Sequence, residues 1–128
     1  MMILDASVLI AHLESTDVHH GRARALLTAH RHRTFAASTV TLAEFLVLPT
    51  RRRTLAAARQ ALDALDVLPQ GLADDACWRL AELRAETGLR LPDCCVLYTA
   101  QQQADCLIAT FDDKLQQQAR LLDIPVAT

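Results

Sequence analysis

The chain has 128 residues, 52% of them hydrophobic and 22% charged, with a formal net charge of −2. That size suits one domain able to bury roughly two thirds of its unfolded surface, and the composition is globular rather than disordered. It excludes a surface that is basic all over, and no apolar run approaches the ~20 residues of a membrane span. Asp5 comes early in MMILDASVLIAHLE with no basic segment ahead of it, unlike a secretory leader. The expectation is a single soluble, cytoplasmic domain over residues 1–128.

Residues 2–5 read as a short strand ending at Asp5, and SVLIAHLE continues as a helix. Asp17 is placed to cap a second helix, in which Val18, Ala25, Leu26 and Ala29 share one side. Thr34–Ala37 reads as a second strand, followed by Ser38 as cap of a helix through Thr41–Leu46, with Pro49 as its stop. A further helix is expected from Thr50 to Leu65, then a brief strand at Val67–Leu68. A turn at Pro69-Gln70-Gly71 precedes a long helix from about Ala73 to Thr87, with Gly88 as its left-handed terminator. Pro92 suits the first turn of the next helix. Cys106–Thr110 is the next strand, Asp112 starts the last helix, and Pro125-Val126 adds an edge strand.

Short strands alternating with helices predict an α/β fold in three layers, α/β/α, around a short and mainly parallel sheet. Ligands of such sheets bind beyond the carboxyl ends of the strands. Asp5, Glu44, Asp93 and Asp112 all fall there or on the helix that follows. Taken singly, Asp5, Asp93 and Asp112 are equally well explained as helix caps or first-turn acids. Glu44 stands in mid-helix in the frame LAEFLV, on or beside the expected buried stripe, where an unpaired carboxylate is costly.

Taken together, the four argue for more. Two like charges 4 Å apart repel by about 4 kcal/mol at an effective dielectric near 20. A cluster of carboxylates therefore calls for protons or a cation, and Mg²⁺ or Mn²⁺ matches all-oxygen donors. Ser7 and Thr110 can orient the acids, although an ordinary cap or solvent contact explains each hydroxyl slightly better. Arg31, Arg33 and Arg51–Arg53, with His30 and His32, offer a local basic face for phosphate or a merely solvated surface. Cys77, Cys94, Cys95 and Cys106 lack zinc-site spacing and read as small buried apolar residues.

These residues resemble a family. Leu4-Asp5-Ala6-Ser7, Ser38-x-x-Thr41-x-x-Glu44, Leu91-Pro92-Asp93 and Thr110-Phe111-Asp112, with His19 or His20 at the start of the second helix, are similar to PIN-domain ribonucleases, specifically VapC-type toxins. The resemblance spans essentially the whole chain. Leu115 and Cys94-Cys95 depart from the family pattern, and Asp113 is a second candidate for the fourth acid. It implies an Mg²⁺- or Mn²⁺-dependent endoribonuclease whose catalytic and metal-binding residues are Asp5, Glu44, Asp93 and Asp112. It also implies an RNA substrate, a homodimer, and a VapB-type antitoxin that wraps the toxin, with Arg51–Arg53 against RNA or antitoxin. The alternatives are a catalytically silent PIN-like module binding RNA or a partner protein, and a phosphoacceptor-type domain with Asp5 as nucleophile. The second would have to rely on Lys114, which is poorly placed for it.

Overall fold

The structure, a computed structural model, describes residues 1–127. Four parallel strands run β1 (Met2–Leu4), β2 (Phe35–Ser38), β3 (Leu68–Gln70) and β4 (Leu107–Ala109), in the sheet order β3-β2-β1-β4. The helices are α1 (Ala6–Leu13), α2 (His20–Ala29), α3 (Thr39–Arg51), α4 (Leu55–Leu65), α5 (Ala76–Thr87), α6 (Leu91–Gln101) and α7 (Asp113–Leu121).

Both faces of the sheet are covered. Met2 and Leu4 pack with α1, α2 and Phe45 of α3, whereas Ile3, between them, packs with α5, α6 and α7. Side chains that alternate along a strand thus feed two separate cores, giving the expected α/β/α layers. Residues Cys94 to Ala100 of α6 are all buried. The chain order reverses between β1 and β4, and such a reversal opens a crevice at the carboxyl edge.

Several local expectations change. Pro49 does not end α3: it lies inside the helix, buried on the stripe Thr41, Phe45, Pro49, and the helix runs on to Arg51. Proline removes one helical hydrogen bond but already has a helical φ, and its ring fills the core at that position. The chain then breaks at Arg53, with a φ of 57°, so α4 begins at Leu55 rather than Thr50. Pro69-Gln70 is strand, not turn, because β3 is an edge strand and tolerates a residue without an N–H. The long helix starts at Ala76 rather than Ala73. Asp17 accepts from the His19 N–H at 2.8 Å in the turn before α2, so His19 holds the cap position. Gly88 does close α5, at a φ of 71°. Val126 makes only an isolated bridge to Ile108. Cys77 is exposed, while Cys94, Cys95 and Cys106 are buried, and burial pushes those three thiols up.

Candidate active site at the carboxyl edge of the sheet

Asp5 follows β1 directly, and its backbone N–H donates to the Ala109 carbonyl at 3.0 Å, extending the β1–β4 pairing by one residue. Its side chain is buried but makes no cap bond to α1. Instead Oδ2 accepts from the Ser7 hydroxyl at 2.8 Å and the Thr110 hydroxyl at 2.7 Å. Each hydroxyl is itself fixed: the Phe111 N–H donates to Ser7 Oγ and the Asp112 N–H to Thr110 Oγ1, both at 3.0 Å. The two hydroxyls, 3.3 Å apart, thereby converge on one oxygen of Asp5. Among the described residues no donor reaches Oδ1, which is left for a ligand. The capping explanation fails for Asp5, and Ser7 and Thr110 are positioning residues rather than solvent contacts.

Asp112 does cap α7, accepting from the Leu115 N–H at 2.9 Å through Oδ1. That bond fixes Asp112 beside Thr110, whereas Asp113 is exposed in the first turn of α7. Asp93 is half-buried in the first turn of α6. Partial burial, then the nearby Asp5 and Asp112 carboxylates, hold its carboxyl above the ordinary range, with Arg90 opposing them. Glu44 is exposed rather than buried, because it sits one position off the Thr41–Phe45–Pro49 stripe of α3. Its carboxyl is also raised, by partial desolvation first and then by Asp5 and Asp93, again against Arg90. All four acids therefore lie within electrostatic reach of at least one other at the same edge of the sheet.

Two further residues at this edge, Arg22 and Arg90, escaped the sequence reading. His19 stacks on Phe111 with ring centroids 4.8 Å apart, and the Arg22 guanidinium lies 4.9 Å from the same ring centre. This column ties the start of α2 to the β4–α7 loop that carries Thr110 and Asp112. His20 instead bonds the Ala11 carbonyl through Nδ1 at 2.7 Å, joining α2 to α1. Arg90 was passed over because it precedes the Leu91-Pro92-Asp93 frame. Its proximity to two acids from different helices has no linear signature. Arg51, Arg52 and Arg53 are exposed, and Arg52 approaches Glu14 at 3.9 Å.

Among the described residues, no three His, Cys, Asp or Glu side chains are gathered tightly enough to hold a metal ion between them. The donor set nonetheless fits a hard divalent cation. Mg²⁺ keeps several waters and needs only one or two carboxylates alongside substrate phosphate, and here the acids are oxygen donors with one unengaged oxygen on a rigidly held Asp5. A closed cage would instead suit a structural ion.

The PIN domain family model matches residues 2–121. The chain is a PIN-domain protein. The resemblance drawn from its sequence is thus borne out for the family. No curated protein is similar enough in sequence to match it. Among solved structures, this PIN domain is similar to VapC20 of Mycobacterium tuberculosis, described as a sarcin-ricin loop cleaving toxin. That likeness has a TM-score of 0.75 and 19% identity, over 92% of this chain and 95% of VapC20. It is also similar to PAE2754 of Pyrobaculum aerophilum, with a TM-score of 0.59 and 22% identity, over 91% of this chain and 84% of the other. At these identities both establish the fold, which is the expected three-layer PIN arrangement.

Proposed function

We propose that this PIN domain, acting as one unit over residues 1–128 in the cytoplasm, is a metal-dependent endoribonuclease and the toxin half of a toxin–antitoxin pair. The observation that carries the reading is the Asp5 carboxylate, held through one oxygen by two hydroxyls and left open on the other, with three more acids around it. A fold neighbour, VapC20, is itself described as an RNA-cleaving toxin.

Nucleases of the PIN family generally use divalent metal ions, and Mg²⁺ or Mn²⁺ suits these donors best. Asp5 and Asp93 would hold the ion, with Glu44 and Asp112 binding directly or through water. Bound there, the cation would lower the pKa of a coordinated water and offset charge on a leaving phosphodiester oxygen. The chain supplies the rest. Ser7 and Thr110 keep Asp5 correctly turned, through two hydrogen bonds to one of its oxygens. Without a cation, partial burial and the neighbouring carboxylates hold the Asp93 and Glu44 carboxyls up, and a bound cation would offset that like charge. Arg90 lies beside both and offers its guanidinium to a phosphate oxygen.

An apolar strip of Ile10, Leu13, Leu48 and Pro49 runs between α1 and α3 beside Glu44, with Ile10 and Leu48 exposed. It supports a cognate VapB-type antitoxin whose segment covers the site, and the homodimer is part of the same proposal.

Short RNAs incubated with the protein in Mn²⁺ and in EDTA provide the test. Products that require metal support the ribonuclease, whereas binding without products favours a silent RNA-binding module.

A further inference from the structure

A cavity of about 750 Å³ lies at the opposite end of the sheet from the acids. It opens at the amino ends of β2 and β3, between the carboxyl ends of α2 and α4, and its lining includes His12, Arg24, Arg31, Arg33, Phe35 and Asp66. Three guanidiniums face one carboxylate. Among the described residues none of the three is in an ion pair, since the two salt bridges use Arg52 and Arg79. The carboxyl ends of α2 and α4 offer these cations some compensation. Even so, Arg33 Nε and His12 Nδ1 are buried with no hydrogen-bond partner, and buried polar atoms of this kind ordinarily have one. Arg33 is half-buried at the cavity, while Arg24 and Arg31 are exposed.

We propose that this cavity is a phosphate-binding site which holds the backbone of the RNA strand away from the point of cleavage. The RNA part rests on the ribonuclease reading; the affinity for phosphate does not. Planar guanidiniums suit phosphate oxygens because they donate in pairs, and the volume lies in the range of small-ligand sites. Helix α2 reaches both sites. At its start His19 and Arg22 lie against Phe111, beside the acids, and Arg24, one turn on from His20, already lines the cavity. The ten residues of α2 span about 15 Å, and Arg31 and Arg33 follow its end. Arg24, Arg31 and Arg33 gather at the cavity, whereas Arg22, two residues before Arg24, projects from the other side of α2 toward Phe111. Burial, with His20 and Arg24 nearby, holds the His12 imidazole below its ordinary value, so an anion bound in the cavity has a local reporter.

The test uses the full chain in EDTA, so that no divalent ion brings phosphate to the acids. Inorganic phosphate and adenosine 5′-monophosphate are titrated while the His12 ring protons are followed by NMR, and a labelled 12-nucleotide RNA is followed by anisotropy. The variants are Arg24→Ala/Arg31→Ala, both at exposed positions, and Arg24→Lys/Arg31→Lys, with Arg33→Ala as a more severe third. Phosphate should raise the His12 pKa in the parent protein, and the double alanine variant should bind phosphate and RNA at least about tenfold more weakly. Its salt dependence for RNA should fall by about two phosphate contacts, and the lysine variant should recover part of the loss. The site is overturned if phosphate leaves His12 unmoved, or if the double alanine variant binds phosphate like the parent. Phosphate and the mononucleotide lost in that variant with RNA affinity unchanged would overturn the RNA assignment, leaving a free nucleotide as occupant. RNA held through the cavity but never cut in Mn²⁺ would sink the ribonuclease reading and leave the cavity as a phosphate-binding site with no cleavage to serve.

Discussion

Thr110→Val removes one hydroxyl and almost no volume at a position that is 1% exposed. The lost interaction is the 2.7 Å hydrogen bond to Asp5 Oδ2. Hydrogen bonds to charged groups contribute about 1.5–3 kcal/mol. The Asp112 N–H also loses its acceptor, but Asp112 is exposed and water can replace it. Ser7 still serves Oδ2 at 2.8 Å, so the carboxylate is not stranded. A net cost of about 2 kcal/mol follows. For 128 residues the unfolding entropy is about 0.27 kcal/mol/K, taking about 2.1 cal/mol/K per residue, so the melting temperature should fall by about 7 °C. Calorimetry in EDTA reads this directly. Thr110→Ser, which keeps the hydroxyl, should retain cleavage, while Thr110→Val should lose at least about tenfold. A valine variant that melts within about 2 °C of the parent and cleaves RNA equally well would refute the positioning role of the hydroxyl pair.

Asp93 and Glu44 have folded-state pKa values above their ordinary ones, so the folded protein binds protons more tightly than the unfolded chain. Their contribution is fully present below the ordinary carboxylate range and is lost as pH rises through the raised values. Urea midpoints in EDTA should therefore decline over that window, and Asp93→Asn with Glu44→Gln should flatten the decline; midpoints that rise there instead would contradict the like-charge cluster. Asp112→Ala removes the α7 cap and should cost about 1 kcal/mol, whereas Asp112→Asn should keep the stability and lose cleavage. Asp113→Ala should change neither by much, and loss of cleavage in that variant would move the fourth acid to Asp113. Phe111→Ala, which breaks the column with His19 and Arg22, should lower cleavage more than it lowers the melting temperature, as seen by comparing both measurements.

Much of the architecture was legible because the signals are local. Ser38 caps α3, accepting from the Val40 N–H at 3.2 Å, and Asp112 caps α7. Gly88 supplies the left-handed stop of α5. The parallel sheet then brings distant acids to one edge whatever the details of its helices. What stayed hidden depends on packing. Pro49 looks like a stop, but the core accepts its ring in mid-helix. Pro69 looks like a turn, but it falls in an edge strand. Glu44 was expected near the buried stripe, yet 100° per residue turns it just off that stripe and into solvent. Ser7 and Thr110 were open to an orienting role, with a cap or solvent contact slightly favoured; the bond that decides for Thr110 spans 105 residues of sequence to Asp5, which no spacing in the chain announces. The grouping of His12, Arg24, Arg33 and Asp66 around one cavity is likewise a product of the fold.

The proposed ribonuclease activity requires the acids at the carboxyl edge to bind a divalent cation. Thermal melting and RNA cleavage, measured together for the parent and for Asp93→Asn with and without Mn²⁺, test this most directly. Ion at about 100 times its dissociation constant should stabilise the parent by about 2.7 kcal/mol and switch on cleavage, while Asp93→Asn stays folded, gains little stability from Mn²⁺ and yields no products. Cleavage by the parent in EDTA, or an Asp93→Asn protein that binds Mn²⁺ and cuts RNA at the parental rate, would contradict it.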